Sequence, residues 1–93
     1  MRTVKHTHRF KRDYRRERSG PHSKTLDAAL LAVVRLLAAD TPLPPQNRDH
    51  PLSGTWADHR DCHIKPDLVL IYRKPDDESL ELVRLGSHSE LGF

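Results

Sequence analysis

Leu26, Leu30, Val33 and Leu37 recur at i, i+4, i+7 and i+11, the spacing that lines one face of an α-helix. Water is a poor neighbour for so regular a stripe, so the rest of the chain must supply a surface to cover it. Further along, the period changes. Leu68-Val69-Leu70-Ile71-Tyr72 is apolar at every position, as expected of a central strand buried on both faces. A helix with one apolar stripe followed by such a strand predicts helices packed on a sheet. With 93 residues there is room for a single domain, 1–93, and no second core.

Other elements fall around these two. Thr3 to Thr7 reads as a short strand. His8 to Arg18 reads as a charged helix with Phe10 and Tyr14 four apart on one face, ended by Ser19-Gly20-Pro21. Ser23 or Thr25 is placed to cap the second helix, with Asp27 in its first turn. Asp40 to Asn47, with Pro42, Pro44 and Pro45, reads as an extended linker. Trp56 to Ile64, Asp67 to Arg73 and Leu80 to Leu85 read as three strands, with turns at Lys65-Pro66 and Lys74-Pro75-Asp76-Asp77. The expected fold is α+β: two N-terminal helices packed on a small antiparallel β-sheet.

The net charge of +3 hides an asymmetry. Residues 1–24 carry nine Lys and Arg against Asp13 and Glu17, a net +7, and the remainder carries −4. Such a segment is either an electrostatic footprint for a polyanion, RNA being the commonest in a cytosol, or a solvated helix face. The single Cys62 excludes an internal disulfide framework and fits a reducing compartment. The first residues lack the apolar run of a signal peptide, and Ala28 to Val34 is too short to span a bilayer. A cytoplasmic protein without a membrane partner is expected.

Polar residues crowd the strands. If Ile64-Lys65-Pro66 is a tight loop, His63 pairs with Asp67 and Asp61 with Val69. Alternation then puts Asp61, His63 and Asp67 on one face, with Cys62 and Leu68 on the other. His50 and His88 lie at the entrance to the strands and just beyond the last one. Histidine titrates nearest neutrality, so a pair supplies one base and one acid at cellular pH. A base for a ribose 2′-OH and an acid for the leaving 5′-oxygen suffice to cleave RNA, with Arg60 or Arg84 offsetting charge on the phosphorus. The bland alternative makes Asp61 and Asp67 turn caps. His6, His8, His22 and His59 are read as surface residues. The sequence has no CxxC and no Gly-rich phosphate loop, so no metal and no cofactor is expected.

DHPLSGTW (Asp49 to Trp56), RDCHIKPDLVLIY (Arg60 to Tyr72) and LVRLGSHSEL (Leu82 to Leu91) occur in that order with short gaps. Together they resemble the YafQ branch of the RelE-like toxins, densely over the C-terminal half. The Pro-Leu-Pro at 42–44 fits as well. The resemblance implies a type II toxin–antitoxin toxin that cleaves mRNA in the ribosomal A site, leaves a 2′,3′-cyclic phosphate, and is blocked by a cognate acidic antitoxin of the DinJ/RelB kind. By the same resemblance His50, His63, Asp67 and His88 correspond to the acid–base residues, with Asp61 alongside. Arg12, Arg15 and Arg16 are expected to bind RNA with Arg60 and Arg84. The rival reading is an RNA- or ribosome-binding module, or an antitoxin-binding protein, without nuclease activity.

The family's usual Leu-Phe ending is here Leu91-Gly92-Phe93. The extra Gly92 lengthens the reach of the ring and gives it backbone freedom to swing towards His88. Base stacking on an aromatic is worth about 1–3 kcal/mol. Phe93→Ala is therefore expected to slow cleavage by about tenfold or more and Phe93→Trp to be tolerated, in single-turnover assays on programmed ribosomes. Equal rates for parent and Phe93→Ala would leave the ring idle.

Overall fold

The computed structural model describes residues 1–92; Phe93 lies outside them. The chain runs β1 (Thr3–His6), α1 (His8–Arg18), α2 (Leu26–Ala38), β2 (His50–Pro51), β3 (Arg60–Lys65), β4 (Leu68–Arg73), β5 (Ser79–Gly86) and α3 (His88–Leu91). Single 3-10 turns at Pro45–Asn47 and Gly54–Trp56 flank β2. The five strands form one sheet in the order β1-β5-β4-β3-β2. Three of the four pairings are antiparallel, and β1 runs parallel to β5. The α+β class is as expected and the short strand expected at Thr3 to Thr7 forms as β1, but the sheet is mixed, and hydrophobic pattern marks neither the parallel pairing of that edge strand nor the other edge strand, β2. Both are short, and their pairing comes from a neighbouring strand rather than from their own side chains.

The leucine stripe does what its spacing predicts. Leu26, Leu30, Val33 and Leu37 are all buried, packed with Phe10 of α1 against Cys62, Leu68, Leu70, Tyr72, Leu80, Leu82 and Leu85 on one sheet face. Thr25 sits at the N-cap of α2 but makes no side-chain cap bond. Thr7 does cap α1: its hydroxyl oxygen accepts from the Phe10 amide at 3.0 Å and donates to the Val83 carbonyl at 2.7 Å. That second bond ties the start of α1 to the irregular point of β5, where the register with β4 shifts between Ile71 and Tyr72. The two longer helices cover one side of the sheet, while on the other Val69 and Ile71 pack with Leu91 of the short α3, edged by Leu52, Trp56 and Val83. Among the described residues no helix is long and apolar enough to cross a membrane.

Two expectations about β3 change. The strand begins at Arg60 rather than Trp56, because Gly54 and Asp58 both take positive φ, at 65° and 71°, and turn the chain before it can extend. The hairpin is also two residues out of the expected register. His63 lies opposite Val69 and Asp61 opposite Ile71, with a bulge between His63 and Lys65. The turn falls at Pro66-Asp67, with Lys65 opposite Leu68, which takes Asp67 out of the ladder; Asp61 and His63, both ahead of the bulge, keep their shared face.

The stripe sets a contrast within α2. Leu26 is fully buried and Leu31 is 48% exposed. Leu26→Ala is expected to cost about 2–5 kcal/mol in urea denaturation, and Leu31→Ala only about 0.5 kcal/mol. Comparable losses at both positions would mean that α2 packs with a different face inward.

Candidate active site

The thinly covered sheet face holds the titratable groups. Asp61 and His63 share it because they are two apart on β3, while Cys62 between them is buried in the helix-side core. Burial pushes the Cys62 thiol far above its ordinary range, so it offers no thiolate. His50 of β2 is directly opposite Asp61, and His88 is the first residue of α3, immediately past β5. His50 Nε2 comes within 2.7 Å of Asp61 Oδ1. The rings of His63 and His88 are 5.2 Å apart between centroids, inclined at 53°.

Asp61 is 3% exposed. Burial raises its carboxyl above the ordinary value, and the charges of His50, His63 and His88 only partly oppose this. No aligned hydrogen bond reaches Asp61 Oδ1, although His50 Nε2 lies close to it. His63 is oriented from its other side: Nδ1 lies 3.2 Å from the Pro66 carbonyl oxygen. A carbonyl can only accept, so in the neutral ring Nδ1 carries the hydrogen and Nε2 keeps its lone pair. The Asn47 amide donates to the His63 carbonyl at 2.7 Å, fixing the backbone that presents the ring.

β2 has only two residues and is anchored by the residue before it. Asp49 Oδ1 accepts from the Tyr72 hydroxyl at 2.6 Å and from Arg60 Nε at 3.1 Å. Burial, together with that hydrogen bond and the Asp49 charge, holds the Tyr72 phenol protonated far above its ordinary range. A core tyrosine therefore reaches through the sheet edge to grip the segment that carries His50.

Of the expected site residues, the fold gathers His50, Asp61, His63 and His88. Asp67 is not with them: it sits in the exposed β3–β4 turn, its carboxylate 3.4 Å from His22 Nε2. His22 is correspondingly half-buried rather than a free surface residue. Arg60 alternates to the opposite face and is committed to Asp49. Arg84 is opposite Ile71, but its guanidinium turns to α1, where Nε donates to Asp13 Oδ2 at 2.6 Å. Arg16 is tied to Asp13, Glu17 and Glu90. Arg12 and Arg15 border different hollows on either side of α1, so the three arginines expected to act together do not form one patch.

Asp13, Asp49 and Glu90 went unnoticed in the sequence. Two left a signal. Ser87 and Glu90 have the S-x-x-E spacing of a capping box, and the structure forms it: the Glu90 amide donates to Ser87 Oγ and the Ser87 amide to Glu90 Oε1. Asp13 is one of only two acids in the basic segment, an oddity that points to a buried partner.

A family model described as the bacterial toxin of type II toxin–antitoxin systems, YafQ, matches residues 2–92. The chain belongs to the YafQ family. The mRNA interferase toxin YafQ of Escherichia coli K12 is 40% identical over 85 residues, covering 81% of this chain and 91% of that protein. Among solved structures, YafQ in the E. coli DinJ–YafQ complex superposes with a TM-score of 0.78 at 31% identity, over 98% of both chains. A metal-bound toxin from Helicobacter pylori gives 0.80 at 41%, over 98% of this YafQ-family chain and 99% of that one. Among the described residues here, no group of three His, Cys, Asp or Glu is placed to hold a metal ion, so this donor set does not fit a chelating site.

Asp61 gives the site a signature in stability. An acid whose folded-state value is raised holds more protons folded than unfolded, so stability falls as pH rises from its ordinary value of 3.8 through the raised one. Asp61→Asn removes that penalty. In urea melts across this range the parent is expected to lose stability relative to Asp61→Asn as pH rises towards neutrality. A constant difference between the two would mean that Asp61 is not perturbed by burial.

Proposed function

We propose that this chain is a ribosome-dependent endoribonuclease that cuts mRNA in the A site by 2′-OH attack, and that a DinJ-like acidic antitoxin silences it. The observation that carries the reading is the pairing of His63 and His88 at 5.2 Å beside the His50–Asp61 contact, on a sheet face left open by the helices. His63 takes the part of base, since its Nδ1 faces a carbonyl and its Nε2 can accept the 2′-OH proton. The 2′-oxygen attacks phosphorus, the bond to the 5′-oxygen breaks, and His88 delivers a proton to that oxygen. The products are a 2′,3′-cyclic phosphate and a free 5′-OH. His50 and Asp61 put an imidazole and a buried carboxylate next to the reacting phosphate, where desolvation strengthens electrostatic effects. Asp67, held against His22 at the hairpin tip, takes no acid–base step in this scheme.

Support for the antitoxin comes from the far side of α1. A hollow of about 780 Å³ there has Phe10, Leu30 and Leu31 on its walls and Lys11, Arg15 and Arg18 among its bordering residues. An apolar floor with a basic rim suits an amphipathic acidic segment that orders on binding. The E. coli relative crystallised with DinJ agrees with such a partner.

The test is cleavage of mRNA on programmed ribosomes. His63→Ala and His88→Ala are expected to lower turnover by about 10²–10⁴-fold, the usual worth of a positioned base or acid, with ribosome affinity close to the parent's. Activity should survive a chelator and leave cyclic-phosphate ends. Variants that lose affinity while keeping turnover would make the histidines structural and favour the binding-module reading.

A further inference from the structure

Arg9, Arg12, Asp13 and Arg16 follow one another at i, i+3, i+4 and i+7, on a single face of α1. Together with Arg84 of β5 they line a cleft of about 320 Å³. Four guanidinium groups border this cleft and one carboxylate. We propose that it is a subsite for an RNA phosphodiester flanking the scissile one, with Arg9 and Arg12 as its ligands. The proposal rests on the nuclease reading above and adds where the RNA backbone is held.

The single carboxylate has nothing left to give. Asp13 Oδ2 accepts from Arg84 Nε at 2.6 Å and the Leu85 amide at 3.0 Å; Oδ1 accepts from Arg16 Nη1 at 3.0 Å and Arg84 Nη2 at 3.3 Å. Burial pushes the Asp13 carboxyl up, but the Arg84 bond, the Leu85 amide and the two guanidinium charges together bring it below its ordinary value. It stays ionised and stays engaged. Arg16 is occupied as well, donating to Glu17 at 2.9 Å and the Leu85 carbonyl at 2.8 Å and paired with Glu90 at 2.9 Å. Arg9 and Arg12 are exposed and make no ion pair or hydrogen bond among the described residues. The floor is therefore charge-matched and fixed, and two unmatched positive forks stand at its mouth. An oxyanion with several acceptors answers both, and a phosphodiester is the oxyanion that an RNA substrate brings.

The cleft is also joined to the histidine face. Arg84 precedes His88 by four residues, and Arg16 crosses to Glu90 of the helix that His88 begins. Gly86 leaves the space for that crossing, since a Cβ there would meet Arg16 Nη2 at 2.7 Å. The polar walls of this cleft contrast with the apolar hollow on the opposite side of α1, which is the better seat for a protein segment.

The test uses the full chain carrying Arg9→Gln and Arg12→Gln together, with a single-stranded RNA oligonucleotide made 2′-deoxy at the cut position and, separately, with programmed ribosomes. Lys11→Gln with Lys24→Gln removes equal charge elsewhere. The arginine pair is expected to raise KM about tenfold and make the log K against log salt slope shallower by about 0.7 for each phosphate no longer held. The lysine pair should move the slope less. Weaker binding of the free oligonucleotide identifies a message phosphate and supports the subsite; an effect confined to ribosomes would place a ribosomal RNA phosphate there and overturn a site that flanks the cut. Equal slopes for the two double variants would overturn it, as would unchanged RNA binding with weakened affinity for an acidic antitoxin. A parent that neither binds nor cleaves RNA would instead sink the nuclease reading itself.

Discussion

One buried carboxylate holds the two halves of this protein together. Asp13 projects from the first helix into the sheet and takes hydrogen bonds from the Leu85 backbone, from Arg84 and from Arg16. Breaking one partner of a buried charge leaves the rest unpaired and desolvated, which makes such a junction all-or-none rather than gradual. Because Arg16 continues to Glu90, and Glu90 closes the capping box of α3, the position of His88 follows from that of Asp13. A residue on the first helix thus sets a residue on the last.

The sheet then separates stability from chemistry. Its helix-covered face carries the main core, including Cys62, Leu70 and Tyr72. The opposite face has a few apolar residues and a set of titratable ones, His63 among them partly open to solvent. Alternation along β3 assigns neighbouring residues to these opposite duties. Tyr72 is the exception that joins them, a core side chain whose hydroxyl reaches Asp49 and so steadies His50.

What the sequence disclosed follows from this division. Elements defined by their own hydrophobic period, α2 and β4, were legible in type and nearly in extent. The shared face of Asp61 and His63 was legible too, because a two-residue spacing survives a shift of register by two. Asp67 was misplaced because the turn takes Pro66-Asp67 rather than Ile64-Lys65-Pro66, a choice that one sequence does not mark. The parallel pairing of β1 was invisible because Val4 alone has strong β character and the strand borrows its place from β5. The arginines looked alike in a charge count, and only the folded geometry distinguished those already paired, among them Arg16, Arg60 and Arg84, from Arg9 and Arg12.

The parallel edge has a consequence for how the molecule comes into being. The Thr7 hydroxyl that caps α1 also donates to the Val83 carbonyl, 76 positions away, and Thr3 to His6 find their ladder only along Ser79 to Leu82. Non-local closure of this kind is slow, because loop entropy is spent before the contacts return it. During synthesis at about 5–20 residues per second, the N-terminal strand and the tether from Thr7 to Val83 must wait for β5 to emerge. Until then Asp13 has no Leu85 amide or Arg84 to meet, and the last helix does not exist. The histidine pair is consequently assembled only once β5 and α3 have both been made, so a nascent chain carries the basic helix before it carries a complete site.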